Sequence, residues 1–126
     1  MDKLKKEITD PVFEKLLRCD EVLRLACTDQ VGNLLINPIA KSIFFYVASH
    51  APCHKKAVEI DIGISTASSS RNTDLLFAEY VKGQPGLNLI KKEVDPENNR
   101  RQILSLTKKG EQLAKAMKNI LYAKMS

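Results

Sequence analysis

The stretch that decides the fold lies in the C-terminal third and reads, from residue 94 to residue 110, VDPENNRRQILSLTKKG. Its Asp, Pro and Asn residues favour a tight turn over 95–99, because Pro presets a backbone angle and the other two bond their own backbone. β-Favouring residues on both sides predict strands over 87–94 and 102–106. Thr107 can cap a helix, since its hydroxyl accepts a backbone N–H of the first turn. We therefore predict a β-hairpin followed by a helix.

Two short helices precede the hairpin and are joined by a turn that contains glycine. The first is predicted at about 54–62, and the second begins after Ser65 and continues to about Val81. Between them, Gly63 permits a left-handed backbone, and Ile64 fills the angle between the helices. This order is typical of the helix-turn-helix, whose second helix enters the major groove of DNA.

Two further helices lie upstream, and each begins at a capping residue that is followed by proline. Asp10 caps a helix that extends to about Thr28, and Asn37 caps another. The second helix is predicted to end near His50, because Pro52 disfavours a helical residue before it.

Length and composition indicate a single soluble domain. With 126 residues, of which 44% are hydrophobic and 28% charged, the chain can bury a core without disulfides or a metal. We predict a mainly α fold with a small β-hairpin wing, that is, a winged helix-turn-helix. Its predicted parts are the helix-turn-helix with the wing at 54–106 and the terminal helices at 1–30 and 107–126 of one domain, 1–126.

Several classes of function are disfavoured by the sequence. No apolar run approaches the ~20 residues of a membrane-spanning helix, and no secretory signal is found, so we expect a cytoplasmic protein without a membrane partner. Three cysteines make no disulfide framework, and Cys53-His54 belongs to no metal-ligand pattern. We expect no metal and no cofactor, while a redox-sensitive thiol stays open. Without a phosphate-binding glycine loop or a base for a nucleophile, we predict no enzymatic activity.

The charge of +5 is unevenly distributed. Residues 1–30 contain six basic and seven acidic side chains, whereas residues 82–126 contain ten basic and four acidic ones. A basic C-terminal part favours a nucleic-acid partner, although a solvated basic face explains the same counts.

The candidate DNA contacts follow from the predicted elements. Arg71 and Asn72 have side chains that can read base edges, and the serine-rich start of the helix offers hydroxyls and free amides to phosphates. Arginines at a hairpin tip can enter a minor groove, and lysines on the first strand suit phosphates. The predicted DNA-binding residues are Ser65, Thr66, Ser68, Ser69, Ser70, Arg71, Asn72, Lys91, Lys92, Arg100 and Arg101.

Over about residues 55–118 the sequence resembles the MarR-type winged helix-turn-helix regulators. Arg100 falls on the wing arginine of that family. The other matches are Leu106, Thr107 and Gly110 of the closing Leu-Thr-x-x-Gly motif, and upstream Gly63-Ile64-Ser65, Ser70-Arg71, Asp74 and Leu76. The resemblance implies a transcriptional regulator that binds double-stranded DNA as a homodimer.

The resemblance also implies that the N- and C-terminal helices are dimerisation helices. Together they offer more apolar positions than a small winged helix can cover, although some of these can instead complete the core of one monomer. The predicted interface residues are Val12, Phe13, Leu16, Leu17, Leu113, Met117, Ile120 and Leu121.

The sequence departs from the family at several positions. Asn98 replaces the wing aspartate, Glu59 replaces a small alanine, and about eight extra residues lie near Tyr80–Asn88. Core positions of the second helix fall on polar residues, so either the helix register differs or the helix packs less tightly; these positions are Ser69, Asn72 and Thr73. The missing wing aspartate, the polar second helix and the extra residues support a second hypothesis, in which the winged helix binds another transcription protein and modulates a polymerase or another regulator.

Overall fold

The computed structural model describes residues 10–81 and 83–124, so residues 1–9 and 125–126 of the predicted terminal segments lie outside the described residues. Within the described ranges the chain forms five helices and five strands. The helices are α1 (Pro11–Ala26), α2 (Pro38–His50), α3 (Lys55–Ile62), α4 (Thr66–Leu76) and α5 (Lys108–Tyr122). The strands are β1 (Cys53–His54), β2 (Glu79–Val81), β3 (Gln84–Pro85), β4 (Ile90–Asp95) and β5 (Asn98–Leu106).

Four helices begin where the sequence predicts them, each at a side chain that accepts a backbone N–H of the first turn. Asp10 accepts from Val12 at 3.1 Å, and the Asn37 side chain accepts from Ala40 at 2.9 Å. Ser65 and Thr107 cap α4 and α5 in the same way, both at 3.0 Å. The predicted caps are therefore confirmed.

The core is centred on α2. Its inward side chains are fully buried, and α2 packs against α3, α4, α5 and β5. Helix α1 lies along α5. The fully buried side chains of α2 are Ala40, Ile43, Phe44 and Val47. No helix in the described ranges is both long and apolar enough to span a bilayer.

The wing is the predicted hairpin of β4 and β5, and β1 pairs with β5 to complete a three-stranded sheet. The strand order is β1-β5-β4, and both pairs are antiparallel, with Cys53 opposite Leu104 and Ile90 opposite Leu106. Strand β1 was not predicted, because two residues carry no periodicity of their own.

The prediction that the second helix of the pair extends to Val81 is wrong. Helix α4 ends at Leu76, because its last carbonyls accept N–H groups from a later segment: Leu87 N–H bonds Leu75 O, and Leu89 N–H bonds Leu76 O, both at 2.8 Å. These bonds hold residues 87–89 against the end of α4. The first strand of the wing therefore begins at Ile90 and not, as predicted, at residue 87. At the start of the stretch of extra residues, β2 pairs antiparallel with β3.

The Leu-Thr-x-x-Gly motif joins the wing to α5 at close range. A Cβ on Gly110 would lie 2.1 Å from the backbone oxygen of Leu89, so only glycine fits there without displacement. The Thr107 hydroxyl also donates to the Asn88 carbonyl at 2.7 Å. The motif therefore fixes the start of α5 against the segment that leads into the wing.

Candidate nucleic-acid interface

Helix α4 exposes one narrow face to solvent. Thr66, Ala67 and Arg71 are exposed, and Ser68 and Ser70 are partly exposed. The Ser65 hydroxyl is occupied by the Ser68 N–H. Within the described ranges Arg71 forms no salt bridge, so its guanidinium can take a ligand.

Two predicted contacts of α4 are corrected, because their side chains are buried. Ser69 is 0% and Asn72 6% exposed. The Asn72 amide donates to the Ser68 carbonyl at 2.9 Å and accepts from the Asn37 amide at 2.7 Å. Asn72 therefore fastens α4 to the start of α2. The helix keeps the expected register and buries polar side chains at its core positions, Ser69, Asn72 and Thr73.

Glu59 joins the two helices of the helix-turn-helix. Its carboxylate is 5% exposed and accepts hydrogen bonds from the Lys55 ammonium and the Thr66 hydroxyl, both at 2.8 Å. Burial is the largest influence and raises the pKa of this carboxyl, but the hydrogen bonds from Lys55 and Thr66, the nearby Ser69 hydroxyl and the positive charge of Lys55 together outweigh burial and lower the pKa to about 2. Glu59 is thus ionised, and the Thr66 hydroxyl is engaged inside the protein.

The wing arginines lie on a bulge. Asp95 is opposite Asn98 across a two-residue turn, whereas Val94 is opposite Gln102, so residues 99–101 of β5 bulge outward. Arg100 and Arg101 are exposed and lie on this segment, whereas the sequence predicts a turn over 95–99 that they directly follow. The Asn98 side-chain oxygen accepts the backbone N–H of Arg100 at 3.1 Å.

Asp95 anchors the tip of the wing. One carboxylate oxygen accepts the Glu97 N–H, and the other lies 2.9 Å from His54 Nε2. The Glu97 N–H, followed by the His54 hydrogen bond, lowers the pKa of Asp95. The sequence contains no local signal for this contact, because its partners are 41 residues apart.

Of the two predicted lysines, only Lys91 is exposed. The Lys92 ammonium pairs with the Asp74 carboxylate and lies 4.7 Å from the centre of the Phe77 ring. Its side chain is 15% exposed. The prediction that Lys92 binds a phosphate is therefore corrected, since its charge is already paired.

The terminal helices present an exposed apolar surface. Val12, Phe13, Leu16 and Leu17 of α1 are 49–68% exposed, and Leu121 of α5 is 43% exposed. Ile120 is partly buried. The prediction is corrected for two residues that point into the core of the monomer, Leu113 and Met117, which are 6% and 9% exposed.

An open cavity of about 1260 Å³ lies between α1, α2 and α5, next to this apolar surface. Its apolar lining includes Leu16, Leu23, Phe44, Phe45, Ala114 and Leu121.

The described part of the chain contains no group of three or more His, Cys, Asp or Glu side chains placed to hold a metal ion. Burial raises the pKa of Cys19, Cys27 and Cys53, which keeps the thiols protonated at neutral pH.

No family model matches the sequence, and no curated protein matches it. Solved structures do match, through 47 chains. The S. aureus MepR–DNA complex superposes with a TM-score of 0.64 at 17% identity, over 86% of this chain and 76% of that one. The crystal structure of MarR superposes with a TM-score of 0.58 at 17% identity, over 91% of this chain and 73% of that one. The repressor CouR, bound to a 23-mer duplex, superposes with a TM-score of 0.58 at 20% identity, over 87% of this chain and 64% of that one. The chain therefore has the MarR-type winged-helix fold, as predicted.

Proposed function

We propose that this protein is a transcriptional regulator that binds double-stranded DNA, with α4 in the major groove and the wing arginines in a minor groove. One observation carries the proposal: Arg71 on α4 and Arg100 and Arg101 on the wing bulge are all exposed. The Lys92–Asp74 pair joins α4 to β4, the strand that pairs with the one carrying the wing arginines. Arginine suits both places, because its guanidinium can bond a guanine edge twice and fits the negative potential of a narrow minor groove.

Two further observations support DNA as the partner. MepR and CouR, which have the same fold, were solved bound to DNA. The basic excess of residues 82–126 falls on the wing and the helix that follows it. Phosphate contacts would use the exposed start of α4 and Lys91.

We further propose that the protein acts as a homodimer through its terminal helices. The exposed α1 residues and Leu121 form an apolar surface that a second copy would cover, closing the adjacent cavity. The arrangement uses one domain, 1–126, with DNA binding at 54–106 and dimerisation at 1–30 and 107–126. Two α4 helices about 34 Å apart would then read a near-palindromic site.

The proposal is tested by selecting duplexes from a randomised pool and measuring the affinity of the selected duplex for variants. Arg71→Ala and Arg100→Ala should each lose about tenfold or more. Arg18→Ala removes the same charge from an exposed position that belongs neither to the proposed DNA contacts nor to the predicted interface residues, and is the matched control. Equal binding by all three variants and the parent, or no enriched duplex, would refute the proposal.

A second candidate function is binding to another transcription protein, a polymerase or another regulator. The loop between α1 and α2 exposes Val31 by 82%, Leu34 by 53% and Leu35 by 41%. Apolar side chains exposed together favour a protein partner. A partner retained at high salt by the parent but lost by Leu34→Ser/Leu35→Ser, with no duplex shift at micromolar protein, would support this function.

A further inference from the structure

We infer that Lys92 and His54 are positioning residues, which clamp the wing to the two helices of the helix-turn-helix. Neither side chain is one of the exposed side chains that we propose to contact DNA. The effect on DNA affinity rests on the proposed function, whereas the effect on wing orientation does not.

The first clamp joins β4 to α4. The Lys92 ammonium is held between the Asp74 carboxylate and the ring of Phe77, which follows the end of α4. The ion pair and the cation–π contact act on the same ammonium, and its side chain is only 15% exposed. Lys91, the neighbour on the opposite face of the strand, is exposed.

The second clamp joins the wing tip to the start of α3. His54 occupies the position before α3, and its Nε2 reaches the Asp95 carboxylate across β5. The Asp95 side chain is 12% exposed and also bonds the N–H of Glu97 in the turn. One carboxylate therefore shapes the turn and ties it to α3.

The two clamps act at different points along the hairpin. Lys92 lies in the middle of β4 and Asp95 at its end, next to the bulge that carries Arg100. Pairing with β1 holds the β5 edge of the hairpin, and the two side-chain contacts hold β4 to α4 and to the residue that precedes α3, so that together they define the direction of the hairpin. Since α4 and the wing must reach neighbouring grooves together, a tilted wing would weaken DNA binding without the loss of any direct contact.

The orientation is tested with amide residual dipolar couplings, which compare the direction of the wing with that of α4. Lys92→Met keeps the alkyl chain on Phe77 and removes the charge. Wing couplings at 92–102 should shrink relative to those of α4 in Lys92→Met and in Asp74→Asn. The double variant should lose no more than either single one. Lys91→Met, the charge-matched control, should keep the ratio of wing couplings to α4 couplings that the parent shows.

The second clamp has its own pair of variants. His54→Ala should reduce the couplings at the wing tip, and His54→Gln should restore them, because its amide can donate to Asp95 from a similar position. Unchanged couplings in both Lys92→Met and His54→Ala would overturn the inference.

The DNA readout uses the duplex selected by the parent. Lys92→Met should weaken binding by roughly three- to tenfold, because binding must then orient a wing that the ion pair and the cation–π contact no longer hold, and the salt slope should stay unchanged. Lys91→Met should lower the slope by about one. A slope lowered by Lys92→Met would identify a phosphate contact and contradict the inference. If the parent binds no duplex while the couplings change, the proposed function fails and the clamp stands.

Discussion

Glu59 of α3 accepts a hydrogen bond from the Thr66 hydroxyl of α4 at 2.8 Å, across the turn of the helix-turn-helix. The same carboxylate neutralises Lys55. The contact fixes the first residue of α4 to the preceding helix by a buried charge. It also makes Thr66 a structural residue, although its exposure and position first indicate a DNA contact.

Glu59 should make the fold sensitive to acid. Its pKa is lowered from 4.5 to about 2, so its contribution is complete above about pH 5 and is lost as the pH falls towards 2. Over that range we expect the free energy of unfolding of the parent to fall by about 3 kcal/mol more than that of Glu59→Gln. Urea unfolding of both proteins at a series of pH values measures this difference in free energy. The contributions of the other carboxylates are the same in both proteins and cancel. Parallel pH curves for the two proteins would contradict the prediction.

Asn72 and Arg71 are neighbours that should behave in opposite ways. Asn72→Ala removes the buried bonds to Asn37 and Ser68 and should cost about 1–3 kcal/mol of unfolding free energy. Arg71→Ala should change stability by less than about 0.5 kcal/mol, because the side chain is exposed. Thermal unfolding and duplex titration of both variants test this. A stable Asn72→Ala with weakened DNA binding would show that Asn72 reads DNA after all.

Gly110→Ala should destabilise the junction between the wing and α5. The added methyl would lie 2.1 Å from the Leu89 carbonyl oxygen, and the backbone must move to relieve the contact. We expect a loss of about 2–3 kcal/mol by urea unfolding. Lys108→Ala, an exposed substitution in the same helical turn, should lie within about 0.5 kcal/mol of the parent. A neutral Gly110→Ala would mean that the junction is looser than the structure indicates.

Substitutions in the apolar stripe of α5 should affect folding, whereas substitutions on the exposed face of α1 should affect self-association. Leu113→Ala should cost about 2–5 kcal/mol of stability, because the side chain is buried in the monomer. Phe13→Asp should leave the monomer folded, since Phe13 is 68% exposed, and should lower the mass measured by sedimentation to that of one chain. A parent that is already monomeric at every concentration would refute the proposed dimer.

Local signals in the sequence were sufficient for much of the fold. The caps at Asp10, Asn37, Ser65 and Thr107 depend on a side chain and its own first helical turn, so they could be predicted. The end of α4 could not, because it is set by carbonyl partners more than ten residues further along the chain.

The candidate site was less predictable for the same reason. Lys91 and Lys92 are identical, adjacent residues that lie on opposite faces of β4. For that reason Lys91 is exposed, whereas Lys92 is paired. Strand alternation, with Asp74 as a possible partner, is the signal that could have distinguished them. Which residues of the α5 stripe are covered depends on where α1 lies, and the sequence does not specify that.

The salt dependence of duplex binding tests the central claim most directly. Fluorescence anisotropy of the selected duplex should show the affinity of the parent falling at least about a hundredfold between roughly 50 and 200 mM salt, because Arg and Lys contacts displace counterions from phosphates. An unlabelled scrambled duplex should compete poorly. Binding that does not change with salt, or no anisotropy change at micromolar protein, would contradict the assignment of this winged helix as a DNA-binding module.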